Sequence, residues 1–168
     1  MSLPTFTTNP HPKCLSALNL IEHFKIFFMF RDYITTQDEA VCHLFLHCCF
    51  KDGNFSQEEI NVVSEKFVDL QIHRDLNFKE ELLHYKAYEQ HIQDEGEYLQ
   101  HLLKLINPVQ QLALYSYCVE LSLSDSLLSA EEESLLKKIA TLLEIEQEKE
   151  TIDKLITQRK AVELEKIF

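Results

Sequence analysis

From Thr36 onward, apolar and polar residues recur with the period of helices that each bury one face. Val41, Leu44, Phe45 and Cys48 mark a first stripe, and Ile60, Val63, Phe67 and Leu70 a second. Residues 77–106 read as one or two helices, carrying Leu82, Leu83, Tyr85, Tyr88 and Ile92, then Leu99, Leu102, Leu103 and Ile106. A further stripe comprises Leu112, Leu114, Tyr115, Cys118, Val119 and Leu121, followed by Leu135, Leu136, Ile139, Ala140 and Leu143. A last helix, with an exposed Lys- and Glu-rich face, spans roughly residues 147–166. Boundary signals agree with these stripes. Thr36 with Glu39, Ser56 with Glu59 and Ser129 with Glu132 have capping-box spacing. Asp52-Gly53 predicts a sharp stop, and Asn107-Pro108 predicts a helix start.

Two of these segments repeat one phrase. Lys51-Asp52-Gly53-Asn54-Phe55-Ser56-Gln57-Glu58-Glu59 returns in register as Ser124-Asp125-Ser126-Leu127-Leu128-Ser129-Ala130-Glu131-Glu132. Asp52 answers Asp125, Ser56 answers Ser129, and the paired glutamates answer each other. Leu70 and Ile72 reappear as Leu143 and Ile145. The repeat predicts two related helix–acidic turn–helix units joined by an internal pseudo-twofold. With only two glycines and four prolines in 168 residues, the expected fold is all-α, compact, and built of six or seven helices.

Domain organisation follows. Residues 1–35 form an N-terminal extension, its first 13 residues expected to be disordered and its aromatic remainder a candidate extra helix. Met29, just before the regular pattern begins, is a candidate natural start. Residues 36–145 form the domain, and 146–168 a C-terminal helix on or beyond it.

Charge narrows function. Of the net charge of −12, residues 51–168 carry −11. Such a body repels a phosphate backbone, which excludes nucleic acid and favours divalent cations or a basic protein surface. No stretch reaches the ~20 apolar residues of a membrane span. Five cysteines without paired spacing suit a reducing cytoplasm.

The acidic turns invite comparison with a calcium loop. With Asp52 at position 5, Gly53 falls at 6 and Glu59 at 12, but positions 1 and 3 are Cys48 and Phe50. In the second turn they are Leu121 and Leu123. Neither turn supplies the first two ligands, so neither is an ordinary EF-hand.

A "DG" turn followed by a Ser-capped S-x-E-E helix, once per half of an all-helical domain, resembles the tellurite-resistance TerB-like family over roughly residues 36–145. The second turn departs, with Ser126 in the glycine position. The resemblance implies a non-enzymatic, stress-associated module that binds metal through Asp52, Glu59, Asp125 and Glu132, assisted by Glu58 and Glu131. A carboxylate cluster of that kind would take calcium, magnesium or manganese. The structural reading of the same residues is that the glutamates are caps and the aspartates turn formers.

His43 and His47, four apart on one helix, lack the second Cys or His pair that zinc sites use, and read as partly buried or rim histidines. His84, His91 and His101 read as solvated. No nucleophile motif, phosphate loop or H-E-x-x-H run appears. The expected function is therefore non-catalytic. The alternatives are a metal-free interaction scaffold using the terminal helices and, more remotely, a carboxylate-based hydrolase.

Overall fold

The computed structural model describes residues 30–51, 53, 56–123 and 128–164, with the side chains of 73 and 159–164 excepted. Residues 30–33 are helical, and after them come seven further α-helices: α1 (Gln37–Cys49), α2 (Gln57–Asp69), α3 (Phe78–Tyr88), α4 (Glu95–Ile106), α5 (Gln111–Ser122), α6 (Ala130–Leu142) and α7 (Glu146–Leu164). Short 3-10 turns at Ile72–Arg74 and Glu89–His91 connect α2 to α3 and α3 to α4. No strand occurs among the described residues, so the all-α expectation holds. The N-terminal extension before Phe30 lies outside the described residues.

α1 is the axis of the bundle. It packs on α2, α3, α4, α5 and α6, and every residue from Cys42 to Cys49 is buried. A helix surrounded on all sides has no polar face to give to water. This is why its sequence, Cys-His-Leu-Phe-Leu-His-Cys-Cys, shows so little amphipathic pattern.

All three capping boxes form. The backbone N–H groups of Glu39, Glu59 and Glu132 donate to Thr36 Oγ1, Ser56 Oγ and Ser129 Oγ, and each glutamate carboxylate reaches back to accept from the cap N–H. Asn107-Pro108 behaves differently from the expectation. Asn107 takes φ 43° and closes α4, while α5 starts after Gln110 with no side-chain cap. Asparagine tolerates the left-handed region well, so it serves an ending as readily as a beginning.

Local geometry recurs 73 residues apart. α2 and α6 begin at serine caps in extended conformation and end at Leu70 and Leu143. The next residues, Gln71 and Glu144, take φ 61° and 58°, and each is followed by a buried isoleucine, Ile72 and Ile145. Gly53 takes φ 82°, the conformation that the tight reversal after α1 requires.

α1 and α5 run in the same direction, side by side. Phe45 meets Tyr117, and Ser122 Oγ donates to the Cys48 carbonyl at 3.4 Å. Their C-terminal ends therefore meet at one end of the bundle.

Removing either cap acceptor tests the helix starts. Ser56→Ala and Ser129→Ala are each expected to lower stability by ~0.5–2 kcal/mol. Urea denaturation checks this, and unchanged midpoints would show that neither serine stabilises its helix.

Candidate functional site

Two groups of residues compete for the description of a site: the acidic turns and a polar cluster in the interior.

In the turns, Asp52 and Asp125 lie outside the described residues. Glu58 and Glu131 are exposed on the first turns of α2 and α6. Glu59 is half-buried and Glu132 buried. Their carboxylates accept from Ser56 N–H at 2.9 Å and Ser129 N–H at 2.7 Å, so a cation would have to be coordinated alongside those bonds. Among the described residues, no three His, Cys, Asp or Glu side chains converge as a metal-binding group.

The interior cluster was only half visible in sequence. His43 and His47 are not rim histidines: they are 0% and 5% exposed. Four apart on α1, they face the same neighbours. His43 bonds to Tyr88 through Nδ1 and donates from Nε2 to Glu81 at 2.8 Å. His47 repeats the arrangement, Nδ1 to the Tyr85 hydroxyl at 2.9 Å and Nε2 to Glu95 at 3.0 Å. Tyr88 continues to the Tyr98 hydroxyl at 2.9 Å.

Donor counting fixes the direction of the His47 chain. An ionised carboxylate only accepts, so Nε2 of His47 donates to Glu95, and the neutral ring favoured by burial accepts at Nδ1 from the Tyr85 hydroxyl. Tyr88 lies between His43 and Tyr98, its hydroxyl bonded to both. Both nitrogens of both rings are thus engaged, which leaves neither ring available as a metal ligand or general base.

Glu95 is the junction of the network. Besides His47 it receives Lys138 at 2.6 Å and Lys51. Burial alone would raise its pKa. The donors His47, Lys138 and Lys51 outweigh that and hold it well below the usual carboxylate range. For His47, burial is the largest influence and lowers its pKa; the Glu95 bond opposes this and Lys51 adds to it.

Two further histidines depart from the solvated reading. His101 Nε2 donates to the Ile34 carbonyl at 2.9 Å, and His84 stacks on Tyr33 with ring centroids 4.6 Å apart. Sequence could have flagged the partners of the α1 histidines, because Glu81, Tyr85 and Tyr88 form an i, i+4, i+7 stripe. Leu83, read as an apolar-face residue, is instead 67% exposed.

A cleft of about 650 Å³ opens between the start of α4 and α6, with Asp94 and Glu95 facing Lys137 and Lys138. Glu95 and Lys138 are already spent on each other there, which leaves the cleft little net charge to offer a ligand.

The network makes stability depend on acid in a defined sense. Both His47 and Glu95 titrate below their unfolded values, so each contributes in full above its unfolded pKa. The His47 contribution falls as pH drops below ~6.5 towards its folded value. The Glu95 contribution falls as pH drops below ~4.3. Urea midpoints measured across pH should be level near neutrality and decline in two stages. His47→Gln should flatten the first stage. A first stage of equal slope in that variant would remove His47 from the account.

Comparison with curated proteins and with solved structures found no match. The family model for tellurite resistance protein TerB matches residues 38–154, from the start of α1 into α7. With that match covering most of the chain, and with the all-helical bundle described above, the protein belongs to the TerB family.

Proposed function

We infer that this TerB-family protein is a non-enzymatic, cytoplasmic, stress-associated module that binds a divalent cation at the end of the bundle bearing the two acidic turns. The observation that supports this most is the parallel pairing of α1 and α5, whose C-terminal ends meet at Cys48 and Ser122. Helix C-termini carry negative partial charge. Around these ends the sequence places Asp52, Glu58, Glu59, Asp125, Glu131 and Glu132. Packed helices stand ~8–10 Å apart, close enough for like charges to repel and for a cation to relieve the repulsion.

The engaged rings of His43 and His47 support a non-catalytic role. Four buried cysteines held in no disulfide, Cys42, Cys48, Cys49 and Cys118, support a reducing compartment. No helix among the described residues is long and apolar enough to cross a membrane. The recurrent helix ends support an internal duplication, in which α1–α2 superposes on α5–α6.

A second reading is a metal-free interaction module. It draws on apolar side chains that face solvent: Leu83 at 67%, Val109 at 92% and Leu155 at 58% exposed.

Titration separates the two. Calcium, magnesium or manganese should bind below millimolar concentration and raise the melting temperature. A ligand at a hundredfold its Kd stabilises by ~2.7 kcal/mol. Asp52→Asn with Asp125→Asn should abolish that rise without lowering metal-free stability. Absence of binding by all three ions would leave the acids as caps and turn formers and favour the interaction module.

A further inference from the structure

In sequence, α6 and α7 read as one helix. From Ala130 to Leu164 there is no glycine, proline or asparagine, and Leu, Glu and Lys dominate. Such residues extend a helix rather than end it. The structure nevertheless breaks the run at Leu143, Glu144 and Ile145.

The break is a left-handed residue. Glu144 takes φ 58°, with its N–H on the Thr141 carbonyl at 3.1 Å and the Ile145 N–H on the Ala140 carbonyl at 3.0 Å. In helix endings of this kind glycine usually fills the left-handed position, because a side chain there crowds its own backbone. The reversals after α1 and α4 use Gly53 and Asn107. Gln71 shares the conformation after α2, but a 3-10 turn and the Asn77 cap follow it. After Glu144 the carbonyl of Ile145 already accepts the first bonds of α7, and isoleucine is among the poorest cap residues. Local preference and observed conformation disagree at this hinge.

α7 is also held thinly. Among its described side chains none is fully buried. Ile152 and Ile156 lie half-buried against the core. Asp153, paired with Lys149, accepts the hydroxyl of Tyr115 on α5 at 2.8 Å. Tyr115 itself is buried, so the face beneath α7 must be covered by a helix with this Ile-Asp-x-x-Ile pattern. A second copy of the chain carries the same pattern.

We propose that this chain forms a domain-swapped dimer, in which α6 and α7 straighten into one helix and α7 of each copy docks on α5 and α6 of the other. The contacts of α7 are remade in trans, with Tyr115 of one copy donating to Asp153 of the other, so the balance falls to the hinge. Two left-handed glutamates return to helical backbone. Leu143 and Ile145, buried beside the hinge, meet their counterparts where the two straightened helices cross. Opposing this, Glu144 and Glu148 come one turn apart in a continuous helix, a weak like-charge repulsion. A short tether gives α7 a millimolar effective concentration for its own groove, and relief at two hinges puts the Kd of the dimer below that. The acidic turns take no part, so the inference does not depend on the cation reading.

Size-exclusion chromatography with light scattering on the full chain, from micromolar to millimolar concentration, reads the association. Monomer should give way to dimer below millimolar. Glu144→Gly relaxes the closed hinge and weakens the straight helix, and should raise the Kd by about tenfold or more, two hinges being affected. Isotope-filtered NMR on wild-type dimer refolded from mixed labelled and unlabelled chains should show cross-peaks from the Tyr115 ring of one copy to α7 of the other. A chain that stays monomeric at millimolar concentration overturns the proposal. So does a dimer whose Tyr115–α7 cross-peaks remain within one copy, or a Kd that Glu144→Gly leaves unchanged.

Discussion

The structure depends on burying the Cys42–Cys49 stretch of one helix. α1 has neighbours on every side, so each polar atom on it must be satisfied from within the protein. Two imidazoles among its thirteen residues therefore dictate what packs against them. Tyrosine and glutamate answer this need: each spans the gap from the next helix and ends in a group of the right polarity. The choice of Glu81, Tyr85 and Tyr88 on α3, and of Glu95 and Tyr98 on α4, is the consequence of His43 and His47. Such a network makes the core specific as well as dense, because a shifted register would leave several groups unpaired at once.

The same histidines set the two similar sequence segments apart. Their counterparts in the second repeat are Ser116 and Glu120. Ser116 bonds the carbonyl of Ala113 on its own helix, and Glu120 pairs with Lys66 of α2 at 3.0 Å. Neither demands a buried polar partner. The first repeat needs α3 and α4 to cover its histidine face; α5 instead takes α7, through Tyr115 and Asp153 at 2.8 Å. Glu95 then ties the halves together, gathering His47 and Lys51 from the first and Lys138 from the second.

Much of this was legible in residues. The all-helical fold and the three capping boxes follow from spacings of three and four, which are local signals. What failed was any reading that needed to know a neighbour. Asn107 could open or close a helix, and only the position of α4 decides. Leu83 looks like core, yet the inward stripe of α3 is Glu81, Tyr85 and Tyr88, because the facing surface is imidazole rather than aliphatic. His43 and His47 were discounted as ligands for want of a distant pair. Their true partners were distant indeed, but phenols and carboxylates.

Charge placement links this interior to the acidic end. Lys51 is the only basic residue between Cys48 and Glu65, and in the matching stretch, Leu121–Lys138, no base appears before Lys137. Lys51 directs its ammonium to Glu95, a half-buried carboxylate that needs donors to stay ionised. The lysine that flanks the first turn is thereby committed to the core, and the second turn, with Ser124 in its place, never had one. The charge on the two turns must then be balanced by helix starts, by solvent ions or by a bound cation. Helix starts contribute only ~0.3–1 kcal/mol each and already hold Glu59 and Glu132 through their caps. Glu58 and Glu131 are exposed on those same helix starts, and in the proposed cation reading a divalent ion would balance them more economically than a diffuse atmosphere.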